Sequence, residues 1–118
     1  MDRQPQDQDE PAQAALIPQL DVETAAERVR RGAVLVDVRE PDEFDEVHAE
    51  GAVLIPLGDV PERRGEIPPD QDTLLICRSG ARSQRAAEYL AGLGHRVANV
   101  AGGTLAWVER GLPVRQGR

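Results

Sequence analysis

The 118-residue chain reads as one α/β domain built on a mainly parallel sheet. Three observations predict this. Short, nearly continuous apolar runs rich in branched residues recur along the chain, as strands covered on both faces require. Segments of helical periodicity lie between them. Strand and helix alternate, the pattern of a sheet whose crossovers are helices.

Taken in order, residues 1–14 are rich in Gln, Asp and Pro and carry no periodic apolar face. They read as a disordered tail, with the domain spanning 15–118. Leu16-Ile17 is a short edge-strand candidate. Asp21 caps a helix over Val22 to Arg31, stopped by Gly32, with Val22, Ala25, Ala26 and Val29 on one face. Ala33 to Val38 is the first strong strand. Pro41 to His48 is a short helix, acidic at its start, with Phe44 and Val47 inward. Ala52 to Ile55 is a strand, and Leu57 to Gly65, broken by Pro and Gly, gives a turn or two. Thr73 to Cys77 is a strand. Ser83 to Leu93 is the clearest helix, with Ala86, Ala87, Leu90 and Leu93 in one stripe and Gly94 at its end. Arg96 to Val100 is another strand. Thr104 to Arg110 is the last helix, with Leu105 and Val108 at inward spacing and Gly111 as terminator.

Composition narrows the function. One cysteine, Cys77, excludes an internal disulfide framework and any multi-cysteine zinc site, and a lone thiol suits a reducing compartment. The polar N-terminus lacks the apolar stretch of a signal peptide, and no run approaches the roughly 20 apolar residues that cross a bilayer. The expected location is the cytoplasm, without membrane attachment. Net charge is −7 and unevenly spread. Residues 1–77 hold 19 acids and seven arginines, whereas 78–118 hold seven arginines and two acids. The segment after Cys77 is thus locally positive on an acidic protein, an arrangement that draws small anions. Scarce aromatics and the lack of a broadly basic face argue against nucleic acid as a partner. All 14 basic residues are arginine, which excludes lysine chemistry.

In open α/β sheets, ligands bind beyond the carboxyl ends of the strands. Three loops qualify: Arg39-Glu40, Arg78 to Arg82, and Ala101-Gly102-Gly103. The second follows Cys77 and runs Cys77-Arg78-Ser79-Gly80-Ala81-Arg82-Ser83 into an amphipathic helix. A helix N-terminus offers unpaired N–H groups and partial positive charge. A tight loop containing Gly80 can turn its amides inward as an anion nest. Arg78 and Arg82 add full charges. Each effect favours thiolate, and cysteines in such places fall from about 8.5 toward 3.5–7.5. The expected product is a nucleophile inside an anion cradle. A cysteine ending an apolar strand is ordinarily a small buried hydrophobe; the Arg and Gly residues between strand and helix argue for the reactive reading. Arg85 reads as a solvated outer-face residue.

Loop length separates sulfur from phosphate chemistry. Cysteine phosphatases use a CX5R loop whose Arg clasps phosphate bidentately. Here that position holds Ser83, and Arg82 comes one residue early. The smaller cradle suits a terminal sulfur better than a phosphate, leaving phosphatase or arsenate reduction as a minor alternative.

The chain resembles a single-domain rhodanese over nearly its whole length after the tail. The matches are Leu35-Val36-Asp37-Val38-Arg39-Glu40, Glu43-Phe44, His48-Ala49-Glu50-Gly51-Ala52, Ile55-Pro56-Leu57 and the Cys77 loop. Val100-Ala101-Gly102-Gly103-Thr104-Leu105-Ala106-Trp107 and Gly111-Leu112-Pro113-Val114 follow. The resemblance implies a five-stranded, mainly parallel sheet flanked by helices on both faces. It implies that Cys77 forms a persulfide and that Arg78, Ser79, Gly80, Ala81, Arg82 and Ser83 hold the transferred sulfur and its donor. Thiosulfate or a related small anion would donate; cyanide, a thiol or a protein cysteine would accept. No cofactor or metal is expected.

The remaining matched residues read as structural. Asp37 and Arg39 end a strand near the site, with Arg39 pairing Asp37, Glu40 or Glu43. His48, in a loop-like stretch, reads as a satisfied structural histidine. Gly102-Gly103 permits a sharp turn beside the Cys77 loop, and Trp107 packs as core or site wall. With a single cysteine an internal thiol relay is excluded, so sulfur must leave Cys77 directly. A rhodanese-like fold used as a non-catalytic or redox-sensing binding module is the competing reading.

Overall fold

The computed structural model describes residues 16–118; the tail expected over 1–14 lies outside them. The main sheet has five strands: β1 (Gln19–Leu20), β2 (Val34–Asp37), β4 (Ala52–Leu54), β5 (Thr73–Ile76) and β6 (Val97–Val100). Their spatial order is β1-β6-β5-β2-β4, and every pairing is parallel. A separate two-stranded antiparallel ribbon pairs β3 (His48–Ala49) with β7 (Val114–Arg115). The helices are α1 (Val22–Arg30), α2 (Pro41–Glu46), α3 (Val60–Arg63), α4 (Ala81–Gly92) and α5 (Gly103–Glu109). Single 3-10 turns, Leu57–Asp59 and Arg64–Glu66, flank α3.

Strand alternation divides the core between two faces. Val36, Val38, Leu75 and Cys77 point to one side, against Val60 next to Ile67 and against Ala86, Ala87 and Leu90 of α4. Leu35, Leu74, Ile76, Ala98 and Val100 point to the other, against Val22, Ala25 and Ala26 of α1 and Trp107 of α5. Burial on both faces is why these strands are apolar throughout. Each fully buried Leu or Ile contributes about 1.5–3 kcal/mol of apolar burial. The first helix starts as expected: the Asp21 carboxylate accepts from the Thr24 amide at 2.8 Å.

Four expectations are corrected. The edge strand is Gln19–Leu20, not Leu16-Ile17; Ile17 is buried core, and Leu16 is exposed. Pro18 lacks the N–H a ladder needs, and pairing begins with its carbonyl accepting from the Asn99 amide at 2.8 Å. His48 lies in a strand rather than a loop, stacked on Phe44 and bonded through Nδ1 to the Phe44 carbonyl at 2.8 Å. Leu93 follows the end of α4 and is exposed. Leu105 and Val108 are 50% and 47% exposed, because the inward face of α5 is Gly103, Thr104 and Trp107. Trp107 is core: its indole N–H donates to the Pro113 carbonyl at 2.7 Å.

Candidate active site

All parallel strands end on one edge of the sheet, so the segments after β2, β5 and β6 meet there. Cys77 follows β5, and its residue is only 1% exposed. The backbone beyond it is oriented by α5. The Cys77 carbonyl accepts from the Thr104 amide at 2.8 Å and from the Thr104 hydroxyl at 3.0 Å, and the Arg78 carbonyl accepts from the Leu105 amide at 3.1 Å. The first N–H groups of α5, which have no partner within their own helix, are thus satisfied by loop carbonyls. With those carbonyls drawn outward, the loop's own amides face the sulfur.

That approach requires glycine at 103. A Cβ there would lie 2.6 Å from the Cys77 carbonyl oxygen and closer still to that of Arg78, and its φ is +62°. Gly80, at φ +111°, caps α4 and turns its N–H onto the Cys77 sulfur at 3.1 Å. The Ser83 hydroxyl stands 3.3 Å from the same atom. Burial pushes the thiol pKa up, but hydrogen bonding from Ser83 and from the amides of Gly80 and Ser79 outweighs it. The net result lies below the ordinary thiol value. The sulfur is buried, yet its neighbouring amides are turned toward it.

The arginines divide. Arg82 does not stand free: Nη1 and Nη2 donate to the two Glu43 carboxylate oxygens at 2.9 and 3.0 Å. This pairing holds the Glu43 carboxyl at about 2, well below the usual carboxylate range. The charge expected at Arg82 is present, and it is paired with Glu43. Arg78 is exposed and lines a cleft of about 470 Å³ with Glu43, Leu105 and Val108 among others. Ser79 and Ala81 are exposed; Ser83 is fully buried.

Asp37 and Arg39 form a buried ion pair, Nη2 to Oδ2 at 2.8 Å, and Arg39 also donates to the Val47 carbonyl at 2.7 Å. Of the three partners considered, Arg39 takes Asp37, and the pair ties β2 to the end of α2. Gly102 and Gly103, both at positive φ, make the turn into α5 beside the Cys77 loop.

Three site residues escaped the sequence reading. Asn99 of β6 is buried and accepts the Ser83 hydroxyl at 2.6 Å. A polar side chain inside an apolar strand was the available signal. Thr104 clamps the loop, and Glu43 holds Arg82; nothing local in the sequence marks either role. Among the described residues, no group of three or more His, Cys, Asp or Glu could hold a metal ion. Nor is any described helix long and apolar enough to cross a membrane.

Comparison with known proteins agrees with this architecture. The model of the rhodanese-like domain family matches residues 21–110. A protein of Allochromatium vinosum named sulfurtransferase is 38% identical over 102 residues, covering 84% of this chain and 95% of that protein. Thiosulfate sulfurtransferase 18 of Arabidopsis thaliana is 34% identical over 110 residues, covering 80% and 81%. The crystal structure of a rhodanese-related protein from Thermoplasma volcanium superposes with a TM-score of 0.78 at 30% identity, covering 83% of this chain and 97% of that one. On these grounds, the chain belongs to the rhodanese-like domain family.

Proposed function

We propose that the protein is a sulfurtransferase that carries sulfane sulfur as a persulfide on Cys77. The observation that carries this reading is the inward-facing loop, with the Gly80 N–H 3.1 Å from the sulfur. Hydrogen bonds of this kind stabilise a thiolate and the anionic groups that reach it. Thiolate Cys77 attacks the outer sulfur of thiosulfate or a similar small anion. A new S–S bond forms, the donor's S–S bond breaks, and sulfite departs with the electron pair. The persulfide then gives its terminal sulfur to a thiol, cyanide or a protein cysteine, and Cys77 is regenerated as thiolate. No cofactor takes part. Arg82 is engaged by Glu43, so it is not poised as the bidentate phosphate clasp of a cysteine phosphatase. Arg78, exposed at the mouth of the loop, steers the donor anion. A reactive lone thiol fits a reducing compartment, and we assign the domain to the cytoplasm.

The test is thiocyanate formation from thiosulfate and cyanide by the wild type and by Cys77→Ser. Turnover lost in Cys77→Ser supports the reading. Equal turnover by both proteins removes Cys77 from the reaction, and hydrolysis of an aryl phosphate faster than sulfur transfer by the wild type replaces the reading with a phosphatase.

A further inference from the structure

Behind Cys77 runs an unbroken chain of hydrogen bonds that the sulfur-transfer chemistry does not by itself explain. The Ser83 hydroxyl donates to Asn99 Oδ1 at 2.6 Å. Asn99 Nδ2 donates to Gln19 Oε1 at 2.9 Å and to the Gly80 carbonyl at 3.2 Å. Gln19 Nε2 donates to Gln84 Oε1 at 2.6 Å and to the Ile17 carbonyl at 3.2 Å. Gln84 Nε2 donates to the Glu88 carboxylate at 2.9 Å. The strands explain the alignment: Gln19 of β1 and Asn99 of β6 are register partners, so their side chains share the face on which α4 packs.

The direction of this chain is fixed at both amides. Both N–H bonds of Asn99 and both of Gln19 are used, and turning either amide over would set oxygen against oxygen. The Glu88 carboxylate accepts at the far end. Asn99 therefore presents its carbonyl to Ser83. A hydroxyl has one hydrogen, and at 2.6 Å that hydrogen goes to Asn99. What Ser83 then shows the sulfur, 3.3 Å away, is a lone pair.

We propose that Asn99 is a positioning residue for Cys77, holding the single proton of Ser83 and so deciding whether the sulfur meets a donor or an acceptor. The inference rests on Cys77 being the sulfur-carrying nucleophile, and it deepens that reading. A thiol donates its S–H to Ser83 and leaves the chain intact. A thiolate can gain the Ser83 hydrogen only by withdrawing it from Asn99, whose buried carbonyl is then left without a partner. In a persulfide the negative charge resides on the outer sulfur, so the inner sulfur makes no such demand and the Ser83–Asn99 bond re-forms. The chain thus opposes the bare thiolate while tolerating the loaded form. It complements the loop amides, which support negative charge on the same sulfur.

The experiment is a titration of the Cys77 thiolate by its ultraviolet absorbance, without any sulfur donor, in wild type, Asn99→Leu, Ser83→Ala and the double variant. Asn99→Leu keeps the side-chain size, and the Gly80 carbonyl retains the Gln84 amide as partner. The charged groups around the sulfur are unaltered: Arg78 in the loop, Arg82 with Glu43, and the Asp37–Arg39 pair. Freed from Asn99, Ser83 donates wholly to the thiolate, and the Cys77 midpoint falls by about one pH unit, the scale of one hydrogen bond to a charged group. Ser83→Ala changes the midpoint little in the wild type but raises it by about one unit in the Asn99→Leu background. An unchanged or raised midpoint in folded Asn99→Leu overturns the proposal. So does an equal effect of Ser83→Ala in both backgrounds. Should Asn99→Leu not fold, the same cycle on Gln19→Ala, at the exposed edge, decides by a smaller shift of the same sign or by none. Failure of the wild type to take up sulfur would instead defeat the proposed function, and the titration would stand apart from it.

Discussion

The amide of Gly80 donates to the sulfur of Cys77 across 3.1 Å, and it does so because Gly80 adopts φ +111°. Three residues of chain are folded back so that a backbone N–H meets the side chain that precedes it. The same residue caps α4, so the polarity of that helix and the loop amide act on one atom.

Gly80→Ala tests this contact. A Cβ at 80 would meet only ordinary van der Waals neighbours, so the cost is conformational, of order 1–3 kcal/mol for a non-glycine residue in that region. Relaxation of that strain turns the N–H off the sulfur. The alkylation rate of Cys77, followed against pH, shifts its midpoint upward; a midpoint equal to wild type would mean that this amide does not stabilise the thiolate.

Gly103→Ala has a different outcome, because space is lacking as well as conformational freedom. Its Cβ would press into the carbonyls of Cys77 and Arg78, which are themselves held by Thr104 and Leu105. We expect a stability loss above about 3 kcal/mol in urea unfolding, with sulfur transfer lost in whatever folds. A variant as stable as the wild type would show that α5 does not bear on the loop this tightly.

Glu43→Gln probes the clamp on Arg82. The folded Glu43 carboxyl, held at about 2 by Arg82 against an ordinary 4.5, contributes stability that is fully present above the ordinary value. That contribution is lost as pH falls from about 4.5 toward about 2. Both side chains are partly exposed, so solvent screening limits the pair to about 1 kcal/mol. Unfolding free energies of wild type and Glu43→Gln should differ at pH 7 and converge as the acid range is entered. A difference undiminished at the lowest pH would separate the effect from ionisation.

Arg39→Met removes one half of a pair that is almost entirely buried. Asp37 is left charged without compensation, which costs about 3–5 kcal/mol. Replacing both, as Asp37→Leu with Arg39→Met, should cost less than the single change. Chemical denaturation of the two variants orders them; the reverse order would show that the pair stabilises beyond its own desolvation.

What could be read from the sequence was what neighbouring residues decide. Leu35-Val36 and Leu74-Leu75-Ile76 announce strands because both faces of the sheet are covered, and no interruption breaks the pattern. The Cys77 loop was legible because its strand, glycine, arginines and helix are contiguous. Long-range geometry was not. The apolar spacing of Leu105 and Val108 is helical, but the rotation of α5 is set by Thr104 bonding to Cys77, and that turns both side chains outward. Strands of two residues, such as His48–Ala49 and Val114–Arg115, have no periodicity to detect and exist only through each other. Asn99 is a polar residue in an apolar strand, a signal that went unused, and its partners Ser83 and Gln19 come from a helix and a strand distant in sequence.

The most direct test of the central claim is the intact mass of the purified protein after incubation with thiosulfate and removal of small molecules. The account predicts a gain of about 32 Da, one sulfur atom, on the wild type, removed by cyanide and absent from Cys77→Ser. A wild-type mass unchanged by thiosulfate and by every other sulfane donor, or an equal gain by Cys77→Ser, contradicts a persulfide at this residue.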